Sequence, residues 1–152
     1  MIITNKEQLL MNTLNRFYFN NDNIDIMLPI INGESNISLR IIDWFVTNYS
    51  KKNNISFHIH NEEENHIEQF IVYLNYKKQL KAYSKKQFDP FCRRYRINYH
   101  YNNNNNSIVT TVGQLNFFRW AIKNNIIEYI HNNLETIEND MTSSLKKSSE
   151  KK

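Results

Sequence analysis

The sequence is 152 residues long, the size of one domain and enough to bury a hydrophobic core without disulfides or metals. Its net charge at pH 7 is +4, and its one cysteine, Cys92, excludes an intramolecular disulfide and a zinc site built on paired cysteines. The first ten residues hold one lysine and no long apolar run. We therefore expect neither a signal peptide nor a membrane-spanning segment, and a reducing, intracellular compartment fits the cysteine usage.

Residue usage is strongly biased, with 26 Asn and 20 Ile against two Ala, two Gly and two Pro. The bias indicates an AT-rich genome and weakens arguments from the asparagine run at 102–106. Because Gly33 and Gly113 are the two glycines of the chain, no P-loop or dinucleotide fingerprint can be written. The acidic residues 62–64 indicate a solvated loop rather than a catalytic pair. The sequence therefore predicts no catalytic residue, no cofactor and no enzymatic activity.

The first half of the chain begins with helical patterns. Thr4 and Glu7 have the spacing of a capping box, and apolar residues at helical spacing then predict a helix over 5–20. Residues 24–31 predict a short turn or helical piece that ends in a chain reversal. A broad apolar face over 37–50 predicts a second helix.

The period then changes to two, which is typical of strands. Residues 55–59 and 70–74 predict an antiparallel hairpin around an acidic loop. Residues 76–84 predict a short basic helix, and 97–101 predict another strand that leads into the asparagine run. One alternative stays open, because 70–83 also fits a single continuous helix.

The C-terminal part has the strongest local signal. Thr111 and Gln114 repeat the capping-box spacing, and apolar residues behind them predict a helix that stops at Asn124 and Asn125. Residues 126–130 predict a second helix or a strand; this element is too short and apolar to read base edges as a helix-turn-helix module does. The overall expectation is an α+β fold. It comprises one small domain over 1–138, with N-terminal helices, a short antiparallel sheet and a C-terminal helical hairpin, and a polar, disordered tail over 139–152.

Positive charge is concentrated in one window, residues 77–96. This window carries eight basic residues against Asp89 alone, a net +7, while the rest of the chain carries 11 basic and 14 acidic residues, a net −3. Such a patch attracts phosphates, and interleaved aromatic rings can stack on unpaired bases. The alternative is that the aromatics belong to the core and the lysines form a solvated face. The candidate nucleic-acid-binding residues are Lys77, Lys78, Lys81, Tyr83, Lys85, Lys86, Arg93, Arg94 and Arg96, with Tyr76, Phe88, Phe91 and Tyr95 as further stacking rings.

The histidines of the chain are a weaker candidate for a site. His58 and His60 share one face of the predicted hairpin, and His66, His100 or Glu64 would have to complete a metal site; exposed histidines are the commoner case, so no metal is predicted.

Cys92 lies beside Arg93 and Arg94, which favours a thiolate, but a buried and inert thiol is the preferred interpretation because no histidine is marked as its base. Asp89 and Pro90 predict a helix start or a simple turn.

Three stretches, SLRIIDWFVTNYSKK at 38–52, QLKAYSKKQFDPFCRR at 79–94 and TTVGQLNFFRWAIKNNIIEYI at 110–130, resemble a family of short proteins encoded by giant nucleocytoplasmic large DNA viruses. The resemblance implies a viral origin and a place in a cytoplasmic virus factory or in the virion, and it implies no activity. Together with the basic window it leads us to expect an accessory protein that contacts nucleic acid in genome handling or viral gene expression. The alternative is a structural or assembly module of the virion that docks on an acidic viral or host protein.

Overall fold

The computed structural model describes residues 5–61, 63–92 and 94–150. The elements in chain order are α1 (Asn5–Tyr18), α2 (Asn21–Ile31), α3 (Leu39–Trp44), a π-helical segment (Phe45–Tyr49), α4 (Ser50–Lys52), β1 (Ser56–Asn61), β2 (His66–Ile71), α5 (Val72–Ala82), α6 (Lys85–Phe88), β3 (Arg96–Tyr101), β4 (Asn106–Thr111), α7 (Val112–Lys123), α8 (Ile126–Asn132) and α9 (Leu134–Glu150). The expected α+β class and single small domain are confirmed.

The strands form two separate antiparallel hairpins, β1 with β2 and β3 with β4. Each hairpin leads without a break into a helix, α5 at Val72 and α7 at Val112. The second hairpin and helix begin 40 residues after the first pair, since β1 starts at 56 and β3 at 96, and α5 at 72 and α7 at 112. The chain thus contains two ββα units with the same spacing.

The predicted short antiparallel sheet is present as two separate hairpins, and its strands differ from the prediction in two respects. The first hairpin is confirmed, but its second strand is His66–Ile71 and not 70–74. Nearly every residue of β2 is exposed, so the strand lacks the alternation of apolar residues that marks a half-buried strand. The sequence also did not predict β4, because the asparagine run was treated as loop. Three of its residues have positive φ and turn the chain back in a tight reversal: Asn102, Asn103 and Asn104.

Most helices follow their sequence signals. α1 and the helix predicted over 37–50 are confirmed, the latter with a π-helical middle segment, and the piece at 24–31 is the longer helix α2. The basic helix predicted over 76–84 begins earlier, at Val72, so the continuous-helix alternative was closer for this stretch. At α7 the Thr111 hydroxyl accepts a hydrogen bond from the Gln114 backbone N–H at 3.0 Å, as the capping-box spacing predicts.

The prediction of a disordered tail differs from the structure. Residues 139–150 continue α9, and residues 151–152 lie outside the described residues. Ile137 is fully buried, and the Asp140 carboxylate accepts hydrogen bonds from Trp44 Nε1 at 2.9 Å and from Lys52 Nζ. This anchor joins residues about 90 positions apart in the chain, and so no local pattern marks it.

The Asp140 anchor predicts a pH dependence of stability. Although burial raises the pKa of Asp140, the hydrogen bonds from Lys52 and Trp44 outweigh it and hold that pKa below its ordinary value. The stabilisation is therefore present above the unfolded-state pKa of about 4 and is lost as the pH falls through the folded-state pKa. We expect Asp140→Asn to cost about 1 kcal/mol at pH 7 and to flatten the fall in melting temperature between pH 6 and pH 3. Melting curves that fall equally with pH in both proteins would contradict this anchor.

An aromatic cluster holds α5, α6 and α7 together. The Phe88 ring, fully buried at the end of α6, lies 6.1 Å from Tyr76, 6.2 Å from Tyr83, 5.5 Å from Phe117 and 5.7 Å from Trp120, measured between ring centroids. Three helices therefore converge on one buried ring.

The start of α7 packs directly on the backbone of α6. A Cβ atom at Gly113 would lie 2.8 Å from the Lys86 carbonyl oxygen and 3.0 Å from that of Asp89. A glycine is required here, because any side chain would push the two helices apart.

Candidate nucleic-acid interface

The basic window is spread over three elements of the structure. Lys77, Lys78 and Lys81 lie on α5, Lys85 and Lys86 on α6. Arg94 precedes β3 and Arg96 begins it. All seven side chains are exposed, and the eighth candidate cation, Arg93, lies outside the described residues.

These seven cations have no carboxylate within ion-pair distance anywhere in 5–61, 63–92 and 94–150. The ion pairs found in those ranges join Lys52 to Asp140 and His66 to Glu64 and Glu68. Direct ion pairs within the described ranges therefore do not neutralise the positive charge of the window.

The lysines of α5 line a groove between that helix and the end of β2. The lining of the groove includes three apolar side chains and three lysines: Ile71, Leu74, Leu80, Lys77, Lys78 and Lys81. The groove thus combines exposed apolar surface with three cations.

A second concavity, which we call the α5–α7 cleft, lies between the first hairpin, α5 and α7. It has a volume of about 490 Å³, and Lys78 belongs to both the groove and the cleft. The cleft is lined by Ile59, Glu68, Gln69, Phe70, Asn75, Lys78, Gln79, Tyr83, Arg119, Trp120, Lys123 and Asn124. Three cations and four side-chain amides therefore face one small space.

Two of those cations, Arg119 and Lys123, were missed as site residues. In the sequence they were interpreted as solvated neighbours of the aromatic residues that pack on the core. Their i, i+4 spacing places them on the same side of that helix, and this is the signal that was available. Their approach to Lys78 depends on the contact between α5 and α7, which no local pattern shows.

A hydrogen bond fixes that contact. Trp120 Nε1 donates to Asn75 Oδ1 at 2.7 Å, and Trp120 is 4% exposed. The bond satisfies a nearly buried donor and joins the two helices that form the walls of the cleft.

Arg119 is held in place by a buried amide. Its Nε and Nη2 donate to Asn116 Oδ1 at 3.3 and 3.0 Å, and the fully buried Asn116 donates in turn to the Gln87 carbonyl oxygen at 2.9 Å. The guanidinium is half-buried, and no carboxylate of the described ranges pairs with it. Arg119 is therefore a positive charge that is held in a fixed position and is available to bind an anion.

The remaining cations of the window lie elsewhere. Lys86, Tyr95 and Arg96 line a separate cavity of about 250 Å³ that shares no lining residue with the cleft. Lys86 Nζ lies 4.1 Å from the centroid of the Tyr95 ring, a cation–π contact. The window is therefore continuous in sequence but divided in the fold.

The aromatic residues divide in the same way. Phe88 is fully buried, and so the prediction that it could stack on a base is wrong. Tyr76 and Tyr83 are half-buried beside it, whereas Phe91 and Tyr95 are exposed by 44% and 55%. Of these rings, Tyr83 lies in the α5–α7 cleft.

The contacts of the histidines differ from the metal site considered from the sequence, in which His58 and His60 formed the core of the site. His66 Nδ1 lies 3.3 Å from Glu64 and its Nε2 lies 2.9 Å from Glu68, at the exposed end of the first hairpin. His60 instead contacts Asn65 at 3.3 Å. These contacts are those of solvated ion pairs and a turn.

The features around Asp89 are structural. Its carboxylate accepts a hydrogen bond from the Phe91 backbone N–H at 2.8 Å, so the turn interpretation is confirmed and no helix begins there. Cys92 is half-buried rather than buried.

Asp43 is a half-buried acid that the sequence did not mark as a site residue. Burial and, secondly, the charge of Asp89 raise the pKa of Asp43.

Within the described ranges, none of the helices is both long enough and apolar enough to cross a bilayer. Fold and surface together define a small α+β domain with a polar, positively charged cleft.

The chain belongs to the family described as "Family of unknown function (DUF7197)", which matches residues 2–152. It is 49% identical over 130 residues to the "Uncharacterized protein L507" of Acanthamoeba polyphaga mimivirus. The aligned region covers 83% of this chain and 49% of that relative, so the chain spans about half the length of the curated relative that it matches. No solved structure matches. The resemblance to proteins of giant viruses is thereby confirmed.

Proposed function

We propose that this domain is a non-enzymatic viral accessory module that contacts nucleic acid through α5 and the α5–α7 cleft, in genome handling or viral gene expression. The observation that carries the proposal is the convergence of Lys78, Arg119 and Lys123 on one cleft, with Lys77 and Lys81 beside it. Membership of a family with a giant-virus relative supports, as part of the same proposal, a place in the virus factory of the host cytoplasm or in the virion.

The physical basis is the release of counterions. A strand that brings phosphates to these five cations releases the ions condensed on it, and the gain in free energy falls as salt rises. Side-chain amides and a tyrosine line the same cleft, where they can form hydrogen bonds and a ring contact with the bases of the bound strand.

Fluorescence anisotropy tests the proposal, with labelled single-stranded and double-stranded DNA and RNA titrated between 50 and 300 mM salt. If all five cations reach phosphates of a single strand, log affinity should fall with log salt with a slope of about −3 to −4. Absence of binding at the lowest salt, or an affinity that salt leaves unchanged, would contradict it.

A second function is favoured by a different observation. Ile71 and Leu74, which are exposed by 37% and 54%, line the groove of α5 together with its lysines. An acidic protein with an apolar segment would bury these side chains and pair with the lysines, as expected of a virion assembly module. Such a complex should survive nuclease treatment in size-exclusion chromatography.

A further inference from the structure

The α5–α7 cleft has the size of a small-molecule site. Its volume of about 490 Å³ lies within the range of roughly 300–1,000 Å³ that is typical of ligand pockets. A duplex with its two backbones is far too wide to enter it, whereas one nucleotide of a flexible single strand fits.

The charge of Arg119 points to an anion in that space. A half-buried positive charge that is not paired with a carboxylate has lost part of its hydration. A phosphate can replace that hydration, since its oxygens accept hydrogen bonds from the planar guanidinium. Nε and Nη2 are engaged by Asn116, while no described residue accepts a hydrogen bond from Nη1. Because Asn116 fixes the side chain, little conformational entropy is lost on binding.

The rest of the cleft suits a base. The Tyr83 ring lies nearly parallel to Phe88, with an interplanar angle of 12°, so the core supports one face of a ring that also lines the cleft. The amides of Gln79 and Asn124 each donate one N–H inside the fold, to Asn75 Oδ1 at 3.5 Å and to the Trp120 carbonyl oxygen at 2.8 Å. Their carbonyl oxygens line the same cleft and can accept from the edge of an unpaired base. The carboxylate of Glu68, which also lines the cleft, repels an anion, but it forms a contact with His66 Nε2 at 2.9 Å.

We infer that the α5–α7 cleft binds one nucleotide of a single-stranded nucleic acid, with Arg119 and Lys123 on its phosphate and Tyr83 beside its base. This inference rests on the proposed function and deepens it, because it assigns the cleft to single strands and leaves duplex contact to the exposed lysines.

The test compares a labelled eight-nucleotide oligothymidylate with a labelled duplex of the same length. Arg119→Gln should weaken single-strand binding about tenfold, the loss expected for one charge-assisted hydrogen-bonded contact, and change duplex binding by less than about twofold. Lys123→Gln, at an exposed position where folding is not at risk, should act in the same direction. Arg40→Gln on α3 is the matched control and should leave both affinities unchanged.

The outcomes separate the two proposals. Wild-type protein that binds neither probe overturns both the proposed function and this inference. Wild-type binding that Arg119→Gln and Lys123→Gln leave unchanged, or weaken equally for strand and duplex, overturns the inference alone. Thermal melts of each variant identify a loss that is due to unfolding, and Lys123→Gln then decides the outcome.

Discussion

Reversing the charge of Lys77, Lys78 and Lys81 together is expected to weaken nucleic-acid binding by on the order of 100-fold at low salt. Each substitution to Glu removes a phosphate contact and adds a repulsive charge on the same face of α5. The magnitude of the salt slope should also decrease, by about 2 for a single strand, because three counterion-releasing contacts are lost. Anisotropy titrations of the triple variant against wild type give both values.

A matched control separates a located interface from net charge. Lys6, Arg40 and Lys146 are exposed on α1, α3 and α9, elements that line neither the groove nor the cleft. Changing these three to Glu alters the net charge by the same amount and should weaken binding only slightly. Equal losses in the two triple variants would show that binding depends on overall charge and would contradict an interface on α5.

Phe88→Ala should have the largest effect on stability. The substitution leaves a cavity where α5, α6 and α7 meet, and removing a buried phenylalanine costs about 3–5 kcal/mol in free energy of unfolding. For a chain of this length that corresponds to a fall of about 10 °C in melting temperature. Chemical denaturation followed by tryptophan fluorescence suits this measurement, because Trp120 contacts the same ring.

Phe91→Ala provides the comparison three residues away. Phe91 is 44% exposed, and its removal should change stability by no more than about 0.5 kcal/mol. A Phe88→Ala variant as stable as Phe91→Ala would mean that the aromatic cluster does not hold these helices together. The cleft would then lose its structural basis, since its walls are α5 and α7.

Local signals account for the parts of the fold that were predicted. The Thr111 cap of α7 depends on residues three positions apart, and the apolar alternation of β1 depends on residues two apart, so both are visible in the sequence. β2 and β4 carry little such alternation, and α9 is anchored by contacts of Asp140 with distant residues. These elements are fixed by tertiary contacts that a linear pattern does not contain.

The candidate site also has one part that the sequence shows and one part that depends on tertiary contacts. The sequence located the positive charge but not its arrangement: the cations of α5 and those beside β3 line separate cavities. Arg119 and Lys123 lie about 40 residues after Lys78, and they come near it because Trp120 bonds to Asn75 and because the aromatic cluster around Phe88 joins α5 to α7. A functional surface assembled from two helices cannot be read from either helix alone.

The central claim is that α5 and the α5–α7 cleft bind nucleic acid, and an NMR titration of isotope-labelled protein with single-stranded oligothymidylate tests it most directly. The claim predicts salt-sensitive shifts for the amides of residues 77–81 and 119–124 and for the Arg119 Nε–H, with the β3–β4 hairpin and α9 unchanged. A spectrum that does not change, or shifts confined to residues outside α5 and the cleft, would contradict it.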